Sequence, residues 1–106
     1  MASPFLRFRD SMTTDNLWIY ILTLLKEENL YAYEIRDKVS KRFSFSPGNM
    51  TAYIVLKKLQ SGGFVRKASS SKDGGPERTY YAVTPKGNEE LKKAADFYKS
   101  MTVHFK

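Results

Sequence analysis

The chain contains no cysteine, which removes disulfides and every thiolate metal site or thiolate nucleophile. Histidine is nearly as scarce: the single one, His104, stands near the C-terminal end with no partner in the sequence. With no second candidate base and no carboxylate pair that stands apart from ordinary helix-surface charge, no catalytic constellation can be assembled. Gly74-Gly75 lacks the strand, helix and lysine of a phosphate loop. These absences point away from an enzyme, a metal site or a cofactor. Long apolar runs are missing as well. The longest, Leu17 to Leu25, falls far short of the roughly 20 residues that span a bilayer, and the N-terminus carries no signal-peptide pattern. The expectation is a cytoplasmic protein with no membrane partner.

What the chain does have is basic charge, and it is concentrated. Of 106 residues 42% are apolar, enough for one domain spanning 1–106, and the formal net charge is +7. From Lys38 to Lys72 there are eight basic residues (Lys38, Lys41, Arg42, Lys57, Lys58, Arg66, Lys67, Lys72) and no acid. The remainder of the chain is close to neutral, so the excess lies in one contiguous third. That is how an electrostatic footprint for phosphates looks in a sequence, although a solvated basic face has the same composition.

Residues 1–14 mix apolar and basic side chains without a clear period and read as an arm or a short helix. Asp15 offers an N-cap for a helix from Asn16 to about Glu28 that is apolar nearly all round, which calls for the centre of the core or a subunit interface. Tyr31 to Phe43 places Ala32, Ile35, Val39 and Phe43 at helical spacing. A break at Ser44-Phe45-Ser46-Pro47-Gly48 supplies a capping serine and two breakers, a third helix runs from about Asn49 to Ser61, and Gly62-Gly63 ends it. Phe64 to Ala68 and Arg78 to Val83 have strand composition around a Ser, Gly and Pro-rich tip at Ser69 to Glu77. Thr84-Pro85 then starts a final helix, threonine as N-cap and proline at the first helical position.

Helix, helix, helix, hairpin, helix, with the third helix and the hairpin basic, is the layout of a winged helix-turn-helix. The predicted class is thus α+β, mainly α: a winged helix over residues 15–83 and a last, dimerising helix over 84–106. At about 100° per residue, Ala52, Val55, Leu56 and Leu59 share the core side of the third helix while Met50, Ile54, Lys57 and Ser61 point away. Tyr53 flanks that outer face on one side, Thr51 and Lys58 on the other. Such a face suits a DNA major groove: lysine reaches phosphate or guanine acceptors, threonine a base edge, Ile54 a thymine methyl. The hairpin adds Arg66, Lys67, Lys72 and Arg78 for the flanking backbone or minor groove.

Short elements in this order, Tyr33-Glu34-Ile35, Phe45-Ser46-Pro47-Gly48, Tyr53 with Leu56-Lys57-Lys58-Leu59, Gly63, Gly75-Pro76, Arg78, Tyr80-Tyr81 and Thr84 with Gly87, resemble the PadR family over Leu17 to Leu91. That resemblance implies a winged-helix transcriptional regulator, usually a repressor, which dimerises through its C-terminal helix with help from the N-terminal one. It points to Tyr53 and Lys57 on the third helix and to Gly75, Pro76 and Arg78 in the hairpin. Two departures stand out. Asn49-Met50-Thr51-Ala52 makes the stretch between Gly48 and Tyr53 longer than the common pattern, and Ile54 stands where the family usually has proline. A different entry into the third helix is expected, with Thr51 either facing the DNA or turned into a cap.

The candidate DNA contacts are accordingly Ser46, Asn49, Thr51, Tyr53, Ile54, Lys57 and Lys58, with Lys67, Lys72, Gly75 and Arg78 in the hairpin. Strand alternation turns one of Tyr80 and Tyr81 inward, and Tyr33 is expected beneath the turn. Leu91, Tyr98 and Phe105 recur at seven residues with Ala94 and Met101 between them, a narrow seam that, with Leu17 and Trp18, is the candidate dimer interface. The expected partners are double-stranded DNA, a second copy of the chain and, by the resemblance, a small aromatic ligand at the dimer interface bordered by Trp18, Phe97 and Tyr98. The reading is a homodimeric regulator on a palindromic operator. Its alternative is a winged-helix protein-interaction module with only nonspecific affinity for DNA.

Overall fold

In the computed structural model, which describes residues 3–71 and 74–105, helices α1 (Pro4–Met12), α2 (Leu17–Glu27), α3 (Ala32–Phe43) and α4 (Asn49–Ser61) precede a hairpin of β1 (Val65–Ser71) and β2 (Arg78–Val83). The helix α5 (Pro85–Thr102) follows, and a short 3-10 turn, Thr14–Asn16, links α1 to α2. This is the mainly helical winged helix-turn-helix expected from the sequence. A helix that is apolar all round must lie inside, and α2 does: Leu17, Ile21, Leu22, Leu24 and Leu25 are buried. They meet Ile35 and Val39 of α3, Ala52, Leu56 and Leu59 of α4, and Val65 and Tyr81 of the hairpin in one core. Each large aliphatic side chain buried there contributes roughly 1.5–3 kcal/mol.

The turn between α3 and α4 is held from several sides. Glu34 accepts from the Tyr31 N–H at 3.3 Å and opens α3, and Ser44 closes it with a left-handed φ of 62°. Pro47 is buried, Arg36 Nε donates to its carbonyl at 3.0 Å, and the Ser40 and Ser46 hydroxyls lie 2.6 Å apart. Tyr20 ties this turn to the N-terminal segment, since its ring meets Phe43 and Phe45 edge-on at 4.9 Å and its hydroxyl donates to the Met12 carbonyl at 2.6 Å. Burial, with Tyr98 adding to it, pushes the Tyr20 phenol above its ordinary range, so the donor proton stays in place.

The hairpin is antiparallel, Val65 opposite Val83 and Ser71 opposite Arg78, with a bulge between Lys67 and Ser69. Leu30 adds a single bridge on the outer side of β2, through Tyr81 N–H to Leu30 O at 2.8 Å and Leu30 N–H to Tyr81 O at 3.3 Å. At the other end of β2, the Thr84 hydroxyl accepts from the Gly87 N–H at 3.1 Å and donates to the Gly63 carbonyl at 2.6 Å, so one side chain caps α5 and fastens it to the end of α4. Changing Thr84 to alanine is expected to cost roughly 1–2 kcal/mol, measured as a lower urea midpoint with unchanged slope.

Several local expectations are corrected. Asp15 does not cap α2; it lies in the 3-10 turn, and Asn16 occupies the N-cap position. No serine caps α4, because its N-cap is Gly48 and Ser46 is engaged with Ser40. Ser69 to Ser71 are strand rather than loop, since pairing with Arg78, Thr79 and Tyr80 outweighs the weak strand preference of serine. Of the two readings of the N-terminal segment, arm or short helix, the short helix is observed, from Pro4 to Met12 and with no buried residue. Tyr33 is 64% exposed rather than beneath the turn.

Candidate nucleic-acid interface

The division of α4 into two faces holds in three dimensions. Ala52, Leu56 and Leu59 are buried and Val55 is half-buried, whereas Met50, Thr51, Tyr53, Ile54, Lys57, Lys58 and Ser61 are exposed. The longer stretch after Gly48 is absorbed as helix: α4 starts at Asn49, which puts Thr51 on an exposed turn of the helix and not at its cap. Gly63, with φ at +80°, then reverses the chain toward the hairpin.

Lys57 is more constrained than an amphipathic pattern suggests. Its ammonium lies 5.4 Å from the centre of the Tyr53 ring and 5.7 Å from that of Tyr81. Interaction with the Tyr81 side chain above all, reinforced by Tyr53 and only partly opposed by burial, holds this lysine above its usual range and therefore charged. Tyr81 is the inward tyrosine, 4% exposed, and Tyr80 is half-buried. The exposed face of α4 and the hairpin thus share one cation.

In the hairpin Arg66, Lys67, Gly75 and Arg78 are exposed, and Lys72 lies outside the described residues. Arg78 places its guanidinium 5.0 Å from the centre of the Tyr31 ring. That ring stacks on Tyr33 at 6.5 Å and 19° and takes Tyr80 edge-on at 5.5 Å. The sequence showed none of this assembly, because Tyr31 and Arg78 are brought together only by the Leu30 bridge to β2.

The basic stretch does not act as one surface. Arg42 makes a two-pronged ion pair with Glu27 at 2.6 and 2.7 Å, Lys41 pairs with Asp37 at 3.0 Å and Lys38 with Glu28 at 3.9 Å. Exposed pairs of this kind add at most about 1 kcal/mol of stability, but they neutralise the α3 end of the run. Among the described residues, the cations of this stretch left without a carboxylate are Lys57, Lys58, Arg66 and Lys67, all on α4 or β1. Arg78 on β2 joins them.

A second feature lies away from this surface. α5 is long, 18 residues, yet Gly87 alone is fully buried. Leu91 and Ala94 are half-buried, and Tyr98, Met101 and Phe105 are exposed, as are Phe5 and Phe8 of α1. The radius of gyration, 15.1 Å, exceeds the ~13 Å of a compact chain this long. Leu17, expected at the same interface, is 2% exposed and lies in the core of this chain. Trp18 is half-buried and donates from Nε1 to Asn16 Oδ1 at 3.2 Å.

The family described as transcriptional regulator PadR-like matches residues 21–93. A PadR-like transcriptional regulator from Bacillus cereus is 26% identical, with a TM-score of 0.73 over 88% of this chain and 90% of that one. A PadR family transcription regulator from Clostridium difficile is 27% identical, with a TM-score of 0.72 over 81% and 90%. Bacillus subtilis PadR, solved in complex with operator DNA, is 28% identical with a TM-score of 0.68; the match covers 74% of this chain and 46% of that one. These similar proteins are transcriptional regulators and not enzymes.

Proposed function

Since the chain belongs to the PadR-like family of transcriptional regulators, we propose that it is a homodimeric repressor that binds a palindromic operator, with α4 in the major groove and the hairpin on the flanking backbone. The observation that carries this reading is the division of charge. Within the acid-free stretch, ion pairs silence the cations of α3, while those of α4 and β1 stay open beside groups able to read bases. Asn49, Thr51, Tyr53, Ile54, Lys57 and Lys58 form the reading surface, with Ser46 at its entry, and Lys67, Lys72, Gly75 and Arg78 follow the phosphates. Bacillus subtilis PadR binds operator DNA, which supports the same partner here.

Residues 15–83 make the reading head in this proposal, 1–14 an arm, and 84–106 the dimerising helix of one unit spanning 1–106. A two-fold pair of heads fits two half-sites about one helical turn apart. A small aromatic ligand between subunits, bordered by Trp18, Phe97 and Tyr98, would act by changing that spacing.

The test separates positioning from reading. Arg78→Ala should weaken binding to every duplex alike and shallow the salt dependence by roughly 0.9 log unit for the lost phosphate contact. Lys57→Ala should narrow the gap between selected and random DNA by roughly 1–3 kcal/mol. Both are read by titrating a duplex selected from random-sequence DNA at several salt concentrations. Equal loss of selectivity in both variants would put the reading head elsewhere, and binding that never discriminates between sequences would favour the protein-interaction module.

A further inference from the structure

We propose that the first turn of α3 is a third DNA-contacting element, in which the Tyr33 hydroxyl donates a hydrogen bond to one backbone phosphate seated over the groove between α3 and α4. The inference rests on the DNA-binding reading above and extends it to a residue outside α4 and the hairpin.

Tyr33 is 64% exposed, and its hydroxyl makes no hydrogen bond among the described residues. An aromatic ring this exposed gains little from burial, yet this one is held. It stacks on Tyr31, and Tyr31 is itself gripped by the edge of Tyr80 and by the Arg78 guanidinium. Tyr33 also borders a groove of about 270 Å³ lined by Ala32, Tyr33, Arg36, Asn49, Ala52 and Tyr53. The polar groups on that lining are two phenols, a carboxamide and a guanidinium, and none is acidic.

Arg36 commits its Nε to the Pro47 carbonyl, which fixes the guanidinium at the groove. Glu34, the carboxylate in the first turn of α3, is engaged by the Tyr31 amide. Donors without a competing anion select an oxyanion. Arg78, Tyr31, Tyr33, Tyr53 and Lys57 are linked by ring contacts and this groove into a row from the tip-side end of β2 to α4. A DNA strand leaving the groove occupied by α4 toward the hairpin would follow that row, with a phosphate over its middle.

The decisive variant is Tyr33→Phe, which keeps the ring and its stack and removes only the donor. With a duplex selected from random-sequence DNA by the unaltered protein, binding should weaken roughly three- to tenfold on selected and random duplexes alike. The salt dependence should stay unchanged, because a neutral donor displaces no counterion, and so should the thermal midpoint. Replacing phosphates one at a time by methylphosphonate should reveal a single position at which the difference between the Tyr33→Phe variant and the parent disappears. Parental affinity in Tyr33→Phe alongside weakened Arg78→Ala and Lys57→Ala overturns this proposal and leaves the DNA reading intact. Loss of selectivity rather than of general affinity also overturns it, since that would mark a base contact. Absence of selective binding by the parent protein overturns the DNA reading and this proposal with it.

Discussion

Gly87→Ala is expected to destabilise the protein by roughly 2–3 kcal/mol, against the usual sign of such a change in a helix, where alanine gains about 1 kcal/mol over glycine. A Cβ built at this position would lie 2.2 Å from the Phe64 carbonyl oxygen and 2.8 Å from Val83 Cγ2. The oxygen belongs to backbone that already accepts from the Thr84 N–H at 3.1 Å, so it cannot simply retreat. The first turn of α5 would have to lift from the hairpin, straining the Thr84 cap and tilting the rest of the helix. Urea unfolding at constant protein concentration reads the loss. An increase in stability would mean that α5 can shift at no cost and that its direction is not set by this contact.

Introducing Asp at both Tyr98 and Met101 should halve the sedimentation mass and lower affinity for a two-half-site duplex by roughly a hundredfold or more, because the heads then bind without being linked. Affinity for an isolated half-site should change little. In one subunit these side chains are 49% and 40% exposed, so carboxylates there meet water and cost little unless a partner covers them. Covered, each would be a desolvated charge with no counter-ion. The unfolding midpoint should also lose its dependence on protein concentration. An unchanged mass would show that the seam packs on something other than a second copy.

The parts of the fold visible in the sequence were those governed by neighbours a few residues apart. The limits of α4 follow from helical spacing between Pro47-Gly48 and Gly62-Gly63. The start of α5 follows from Thr84-Pro85, whose cap needs only the amide three residues on. The inward faces of α2, α3 and α4 follow from periodicity, because an apolar stripe has one low-energy direction to face. Even the longer entry to α4 was visible as a departure, and whether Thr51 would cap or face outward was the part left open.

The tertiary structure decided everything that depends on pairs distant in the chain. Glu27 cancels Arg42 across fifteen positions, so a charge run that is continuous in sequence is divided in space. Tyr31 receives Arg78 because Leu30 bridges Tyr81, and that contact leaves Tyr33 stacked and exposed where the sequence suggested burial. Leu17 lies inside although it opens a helix, while Tyr98 and Met101, equally apolar in pattern, remain outside. Periodicity says which side chains share a face but carries no information about what the face meets. The close approach at Gly87 was hidden for the same reason, since the atom a Cβ would strike belongs to Phe64 on a separate element, and only the folded chain brings the two together.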